Sequence, residues 1–226
     1  MKKEKITVVI PAYNEEKTIG ECIERCKKYA DEIIVALAKN SNDETYKIAK
    51  SKGARIIRDN GLGKGDGMRC AINAIDRGII VFIDCDGSHI PEDIPKLVKP
   101  ILQNKADMVI ASRFLGGSEE LQGDFDKSLR LFFSICIAKI INLRFKTKIM
   151  DTQNGFRAIK AEIAKKLNLK SNHTEIETEM NMKCSKLGYR IIEVPSKELK
   201  RKYGQSHVSL LKHGPRYFLT VLKNLI

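Results

Sequence analysis

The stretch GIIVFIDCDGSH, residues 78–89, decides the fold. Ile79, Ile80, Val81, Phe82 and Ile83 make an unbroken apolar run, as a strand covered on both faces requires. The run delivers two carboxylates, Asp84 and Asp86, around Cys85. Alternating side-chain direction lets the two acids point to one side and the thiol to the other. In an open parallel sheet, ligands bind beyond the carboxyl ends of the strands, so this pair stands where chemistry is expected. Two close carboxylates repel and raise each other's pKa unless a cation neutralises them. Oxygen ligands suit Mg²⁺ or Mn²⁺, and Mg²⁺ is usually held by one or two carboxylates plus substrate phosphates. The competing reading is plainer: one Asp caps the helix after Pro91 and the other is solvated.

Outward from this strand, the first half of the chain alternates strand-like and helix-like segments. Strands are expected over 5–13, 31–37, 54–59, 79–84 and 106–114. Helices are expected over 15–29, 43–51, 64–77 and from Pro91 to about residue 103. That rhythm implies right-handed crossovers and an α/β fold with a mainly parallel sheet. After residue 115 the pattern changes. GGSEELQGDFD reads as a mobile loop, SLRLFFSICIAKIINLRF (128–145) as an unusually apolar helix, and MDTQNGFRAIK as a polar turn. A helix over EIETEMNMKCSKLG, a strand over YRIIEVP, a basic loop KRKYGQSHVS and a closing helix (208–226) complete the chain.

With 226 residues, 42% of them apolar, the chain can bury a full core and is expected to form one domain, residues 1–226. Lys and Arg total 41 against 28 Asp and Glu, a net charge of +13, which favours anionic partners. Nucleic acid is not expected, because the lysines are spread along the chain and no binding module is recognisable. The six cysteines show neither a C-x-x-C pair nor zinc-like spacing to His. The N-terminus MKKEK runs straight into a strand, so reduced thiols and a cytoplasmic location are expected. No run of about 18 uncharged apolar residues is present, so no segment is expected to span a bilayer.

Several further motifs stand in order around the DxD strand: VVIPAYNEE at the end of the first strand, GKGDGMRCAINAI, HIPEDIPKLVKPI, ADMVIASRF, DTQNGFRAIKAEI, EIETEMNMKCSKLGYRIIEVP and RKYGQS. Together they resemble the family 2 glycosyltransferases of the GT-A type, and within them the dolichol-phosphate or polyprenyl-phosphate mannosyl- and glucosyltransferases. The resemblance covers nearly the whole length. It implies a Rossmann-like three-layer fold with a nucleotide-sugar half (1–115) and an acceptor half (116–226). It implies a nucleotide sugar, GDP- or UDP-hexose, as donor, polyprenyl phosphate as acceptor, and Mg²⁺ or Mn²⁺ as cofactor.

Residue by residue, the resemblance implies that Pro11, Tyr13 and Glu15 hold the nucleoside, with Tyr13 as a stacking face. Asp84, Cys85 and Asp86 line the donor site. Asp84 faces ribose and Asp86 the metal, with Ser88 beside them where relatives carry a metal-assisting glutamine. Arg113 of SRF binds phosphate at the reacting centre, where a bidentate guanidinium fits better than lysine. Arg130 meets the lipid phosphate, and Arg201 and His207 belong to a basic loop closing over the diphosphate. For each arginine the alternative is a solvated surface cation. Asp151 and Gln153 match a motif near the acceptor, and Asp151 can equally cap the turn before the next helix. Asp86, Arg113 and Arg130 are the candidate catalytic residues.

Three positions depart from the pattern. Relatives read something like VVDDGSTD after the second strand, whereas this chain reads VALAKNSND and lacks the carboxylate that contacts the base. Ser88 is a shorter ligand than glutamine. His207 replaces a lysine and is a weaker cation near neutral pH. The helix 128–145 and the closing helix either lie in a membrane interface or complete the core or a dimer contact. The lipid acceptor and the positive charge favour a peripheral site on the cytoplasmic membrane face, anchored at the interface or through a partner protein. The rival readings are a soluble or glycan acceptor, or a non-catalytic nucleotide- or lipid-binding subunit.

Overall fold

The apolar runs become seven strands: β1 (Ile6–Ala12), β2 (Glu32–Leu37), β3 (Arg55–Arg58), β4 (Ile79–Phe82), β5 (Met108–Ser112), β6 (Arg157–Lys160) and β7 (Ile191–Pro195). The computed structural model describes residues 4–120, 125–203 and 210–225. The strands form one sheet in the order β3-β2-β1-β4-β6-β5-β7. All pairings are parallel except those of β6, which runs antiparallel to both β4 and β5. The helices are α1 (Ile19–Cys26), α2 (Thr45–Ser51), α3 (Lys64–Asn73), α4 (Ile94–Leu102), α5 (Arg113–Gly116), α6 (Phe125–Phe145), α7 (Ala161–Lys166), α8 (Ile176–Lys186) and α9 (Leu210–Leu225).

Two large apolar clusters flank the sheet, as its continuously apolar strands demand. One gathers Val8, Ile10, Ile23, Val81, Leu97 and Val109, and the other Val9, Ile34, Met68, Phe82, Ile110 and Met180. A third, smaller cluster of Ile141, Met182 and Val221 joins α6, α8 and α9 away from the sheet.

The expected α/β architecture is present, with one correction. DTQNGFRAIK was expected as a polar turn throughout, but its second half is β6, inserted between β4 and β5. A four-residue strand containing Arg is a weak apolar signal. It becomes a central strand because Arg157, fully buried, satisfies its guanidinium within the fold. Its Nε donates to Asn154 O, and its Nη1 donates to Glu177 O and to Asn181 Oδ1 (2.9 and 3.1 Å). Smaller differences lie at element ends. The first helix begins only at Ile19, because 15–18 form a turn, and Pro91–Asp93 is a single 3₁₀ turn ahead of α4. Part of the loop expected over 116–126, residues 121–124, lies outside the described residues.

The sheet positions the site. β1 lies between β2 and β4, and the strand order reverses there, so the crevice of a doubly wound sheet falls between the carboxyl ends of β1 and β4. The β1–β4 ladder stops at Val9 opposite Phe82, two residues before Pro11, and the strands part beyond it.

Candidate active site

The parting strands carry Pro11, Tyr13 and Glu15 on one side and Asp84 to Ser88 on the other. Tyr13, just past β1, is half exposed and offers an open ring face. Glu15 caps the turn before α1, accepting from Thr18 Oγ1 at 2.9 Å, while its own N–H donates to Thr45 Oγ1. Burial, and then the charges of Asp86 and Asp84, push the Glu15 carboxyl above its ordinary pKa although the Thr18 bond opposes this. The three acids therefore share one electrostatic environment. Cys85 turns the other way, into the core against Pro11 O, and burial drives its thiol well up. A contact between residue 85 and a donor would therefore have to come from the backbone.

Each DxD acid already faces a protein cation. Lys64, the first residue of α3, places Nζ 2.7 Å from Asp84 Oδ1 and 3.0 Å from Oδ2, and 2.9 Å from Glu177 Oε1 of α8. Burial alone would raise the Asp84 carboxyl, but Lys64, with His89 and Arg201, brings it down to about 2. The same acids hold the Lys64 ammonium above its ordinary range, against the effect of burial. Arg201 Nη1 lies 2.9 Å from Asp86 Oδ2. Asp86 Oδ1 accepts from the N–H and hydroxyl of Ser88 at 3.0 and 2.6 Å. Ser88 thus orients Asp86, and its hydroxyl is engaged there rather than standing free as a further metal-side oxygen.

The segment 199–203 is strapped across this loop. Leu199 N–H donates to Ser88 O, Lys202 N–H donates to Asp86 O, and the Lys202 ammonium binds both oxygens of Glu21. Gly87 turns with φ +87°, and a Cβ there would meet the Lys202 side chain at 2.7 Å, so glycine is needed for both conformation and approach. His207, expected in this loop, lies outside the described residues.

Arg113 is built differently from the expectation that its fork binds phosphate. Its Nε and Nη2 each donate to Asp151 at 2.8 Å, its N–H binds the same carboxylate at 3.0 Å, and Nη1 faces Glu198 at 3.5 Å. Asp151 is fully buried and also accepts from the N–H groups of Gln153 and Asn154. The pair is a buried fork-to-fork clamp between β5 and the turn leading to β6, so Asp151 both caps the turn and anchors the arginine. Burial would raise the Asp151 carboxyl, and Arg113 more than offsets it.

A cavity of about 850 Å³ opens from this rim and runs between α6 and α9. Lys64, Asp84, Arg113, Arg130 and Arg201 line its polar end, and Phe133, Ile137, Ile140, Phe218, Val221 and Leu222 its walls. Pro11, Tyr13 and Glu15 do not line it. The predicted residues therefore divide into a group at the end of β1, Pro11, Tyr13 and Glu15, and a second chamber entered past Asp84. Lys64, Glu177, Arg157 and Gly155 were not singled out from sequence, although all four lie in quoted motifs. A Cβ on Gly155 would stand 2.8 Å from Asp84 Oδ2 and 2.9 Å from Lys64 Nζ, so this glycine clears space over the ion pair. At the position of the absent base-contacting carboxylate, Ala36 and Leu37 are buried, and Asp59 from the end of β3 binds the Lys39 and Gly61 N–H groups instead.

Among the described residues no group of three or more His, Cys, Asp or Glu closes around a point suited to a metal ion. The donor set nonetheless fits a hard divalent cation that takes its remaining ligands from phosphate and water. Glu15, Asp84, Asp86 and Glu177 gather around Lys64 and Arg201, with the Arg157 guanidinium beside Glu177. Glu177 Oε2 is buried without a hydrogen-bond partner.

A family model described as glycosyl transferase family 2 matches residues 7–167. The chain is 37% identical over 211 residues to the uncharacterized protein MJ1222 of Methanocaldococcus jannaschii, covering 90% of this chain and 85% of that one. It is 29% identical to a dolichyl-phosphate hexose transferase of Haloferax volcanii, covering 84% of this chain and 81% of the relative. The crystal structure of glucosyl-3-phosphoglycerate synthase from Mycobacterium tuberculosis, in complex with Mn²⁺, UDP and phosphoglyceric acid, superposes with a TM-score of 0.74 at 23% identity. That match covers 98% of this chain and 78% of the other, and it establishes the GT-A fold.

Proposed function

Because the chain belongs to glycosyl transferase family 2 and is a glycosyltransferase, we propose that it moves a hexose from a nucleotide sugar to a polyprenyl phosphate. The observation that carries this reading is the chamber between α6 and α9. It joins a cationic end, next to Asp84, to long apolar walls, which is the complement of a phosphate on a hydrocarbon chain. The Haloferax volcanii relative, named for dolichyl-phosphate hexose transfer, supports the same acceptor class.

In this reading Tyr13 and Pro11 hold the nucleoside, and Asp84 and Asp86 face the diphosphate. A divalent ion, Mg²⁺ or Mn²⁺, would be held by Asp86 and Asp84, and it would supply charge neutralisation for the departing nucleoside diphosphate. Arg201, paired with Asp86 across the same rim, adds a fixed guanidinium facing that charge. Arg130, whose guanidinium has no partner among the described residues, receives the acceptor phosphate at the head of α6. The phosphate oxygen is already anionic near neutral pH, so it attacks the anomeric carbon directly and no side chain need remove a proton. One displacement inverts the anomeric configuration. Arg113 acts here by holding Asp151 and the turn before β6, which fixes Gly155 above Asp84. With its apolar helices against lipid, the enzyme works as a peripheral protein on the cytoplasmic membrane face.

The test is transfer of radiolabel from GDP- or UDP-hexose to polyprenyl phosphate with Mg²⁺ or Mn²⁺. Label is expected in the organic phase, and Arg130→Ala should reduce it mainly through a raised KM for the lipid. Label that enters only water-soluble glycan or phosphorylated acceptors would replace this acceptor assignment. Absence of both turnover and nucleotide-sugar binding would overturn the whole reading.

A further inference from the structure

Lys64 joins two acids that the proposed reaction uses differently. Asp84 borders the donor, and Glu177, from α8, lines the acceptor chamber. The backbone carrying Lys64 is firmly docked. Asp66 N–H donates to Asn172 O, Arg69 binds the carbonyls of Lys170 and Ser171, and a Cβ on Gly65 would stand 2.6 Å from Ser171 O. The side chain is a flexible four-carbon stem ending in a compact charge, and the cavity beside it leaves room for that charge to move. Gly155 leaves the other approach clear.

A dication approaching Asp84 in the free protein meets an ammonium 2.7 Å from the oxygen it needs. Binding there requires the ammonium to leave, and a buried ammonium leaves only toward another anion. Glu177 alone retains part of its pairing. The incoming diphosphate supplies the rest.

We propose that Lys64 is an exchangeable counter-ion of the DxD pair. It occupies Asp84 while the donor site is empty, and it transfers to the donor's phosphate when metal and diphosphate enter together. The inference rests on the donor reading given above. It makes metal and nucleoside diphosphate bind cooperatively, each strengthening the other by the same factor. Lys64 thereby sets the order of assembly, giving up Asp84 only when the entering diphosphate offers its ammonium a new anion.

The experiment measures Mn²⁺ binding to the full chain, by the paramagnetic resonance of free Mn²⁺ and by calorimetry, with and without UDP or GDP. Wild-type protein is expected to bind Mn²⁺ at least about tenfold more tightly when the matching diphosphate is present. Lys64→Met is expected to bind Mn²⁺ alone about tenfold more tightly than wild type and to lose most of the coupling, whereas Lys64→Arg keeps it. A merely structural lysine predicts the opposite, a weakening of both affinities. The inference is overturned if Lys64→Met binds Mn²⁺ alone no better than wild type while wild type keeps its diphosphate-dependent uptake. Wild type alone can also sink it, by binding Mn²⁺ equally well with and without diphosphate. If wild type takes up no Mn²⁺ with either diphosphate, the metal-and-donor reading fails and this inference goes with it.

Discussion

Asp84 keeps its negative charge far into acid because Lys64 faces both of its oxygens. Its folded pKa, about 2, lies below the ordinary 3.8, so between those values the unfolded chain binds more protons than the native one. Stability from this pair is therefore fully present above about pH 4 and is lost as pH falls toward 2. Acid unfolding followed by circular dichroism should show this limb in wild type. In Lys64→Met the contribution should be absent, because Asp84 then lacks its partner. Asp86 is the other residue-scale case. It is held by Ser88 on one oxygen and Arg201 on the other, so Asp86→Asn should keep the fold while weakening charge stabilisation of the leaving group. A fall in kcat of about 10²–10³-fold is expected in the transfer assay, with the melting temperature little changed. From sequence, Asp84 and Asp86 were legible because a strand announces its own carboxyl end. Arg201 was placed at the donor only through the resemblance, and Lys64 was missed, since nothing in a local window says that either cation will arrive beside these acids.

At the scale of elements, β6 shows where reading by periodicity fails. RAIK offers a four-residue run that begins with a cation, and both neighbouring segments are polar. Its place in the sheet depends on hydrogen bonds from Arg157 to Asn154 O in the preceding turn and to Glu177 O and Asn181 of α8. Arg157→Met should leave those buried acceptors unsatisfied and lower stability by about 3 kcal/mol, measured by denaturant unfolding. If the loss is below about 1 kcal/mol, the guanidinium is not what holds β6 between β4 and β5. The long apolar strands and α1, by contrast, were readable, because Ile19, Cys22, Ile23 and Cys26 repeat at helical spacing and are all buried. Arg113 was identified as important, but its clamp on Asp151 became visible only when β5 and the turn before β6 were brought together.

Across the whole molecule, α6 and α9 present an apolar face that the described residues leave uncovered. Phe132, Leu143 and Phe218 are 59, 83 and 62% exposed, while Ile141 and Val221 on their inner faces are buried. No helix among the described residues is long and apolar enough to cross a membrane. An exposed apolar face of this kind, on a protein of net charge +13, suits an anionic lipid surface. Sedimentation with anionic vesicles is the check. Wild type should pellet with them, more weakly at high salt. Phe132→Ser, Leu143→Ser and Phe218→Ser together should leave it in the supernatant with its melting temperature nearly unchanged. Equal pelleting of this variant would assign the face to another partner.

The α/β class, the strand carrying the DxD acids, the motifs by which the chain resembles its family and the apolar character of α6 could all be read along the chain. These are local properties: strand runs, helical spacing and short motifs act within a dozen residues. Folding revealed that an antiparallel strand sits between β4 and β5 and that Arg113 belongs to Asp151. It also brought Lys64 between Asp84 and Glu177 and opened a chamber between α6 and α9. Buried charges must find opposite charges wherever the fold delivers them, and those partners come from segments far apart along the chain.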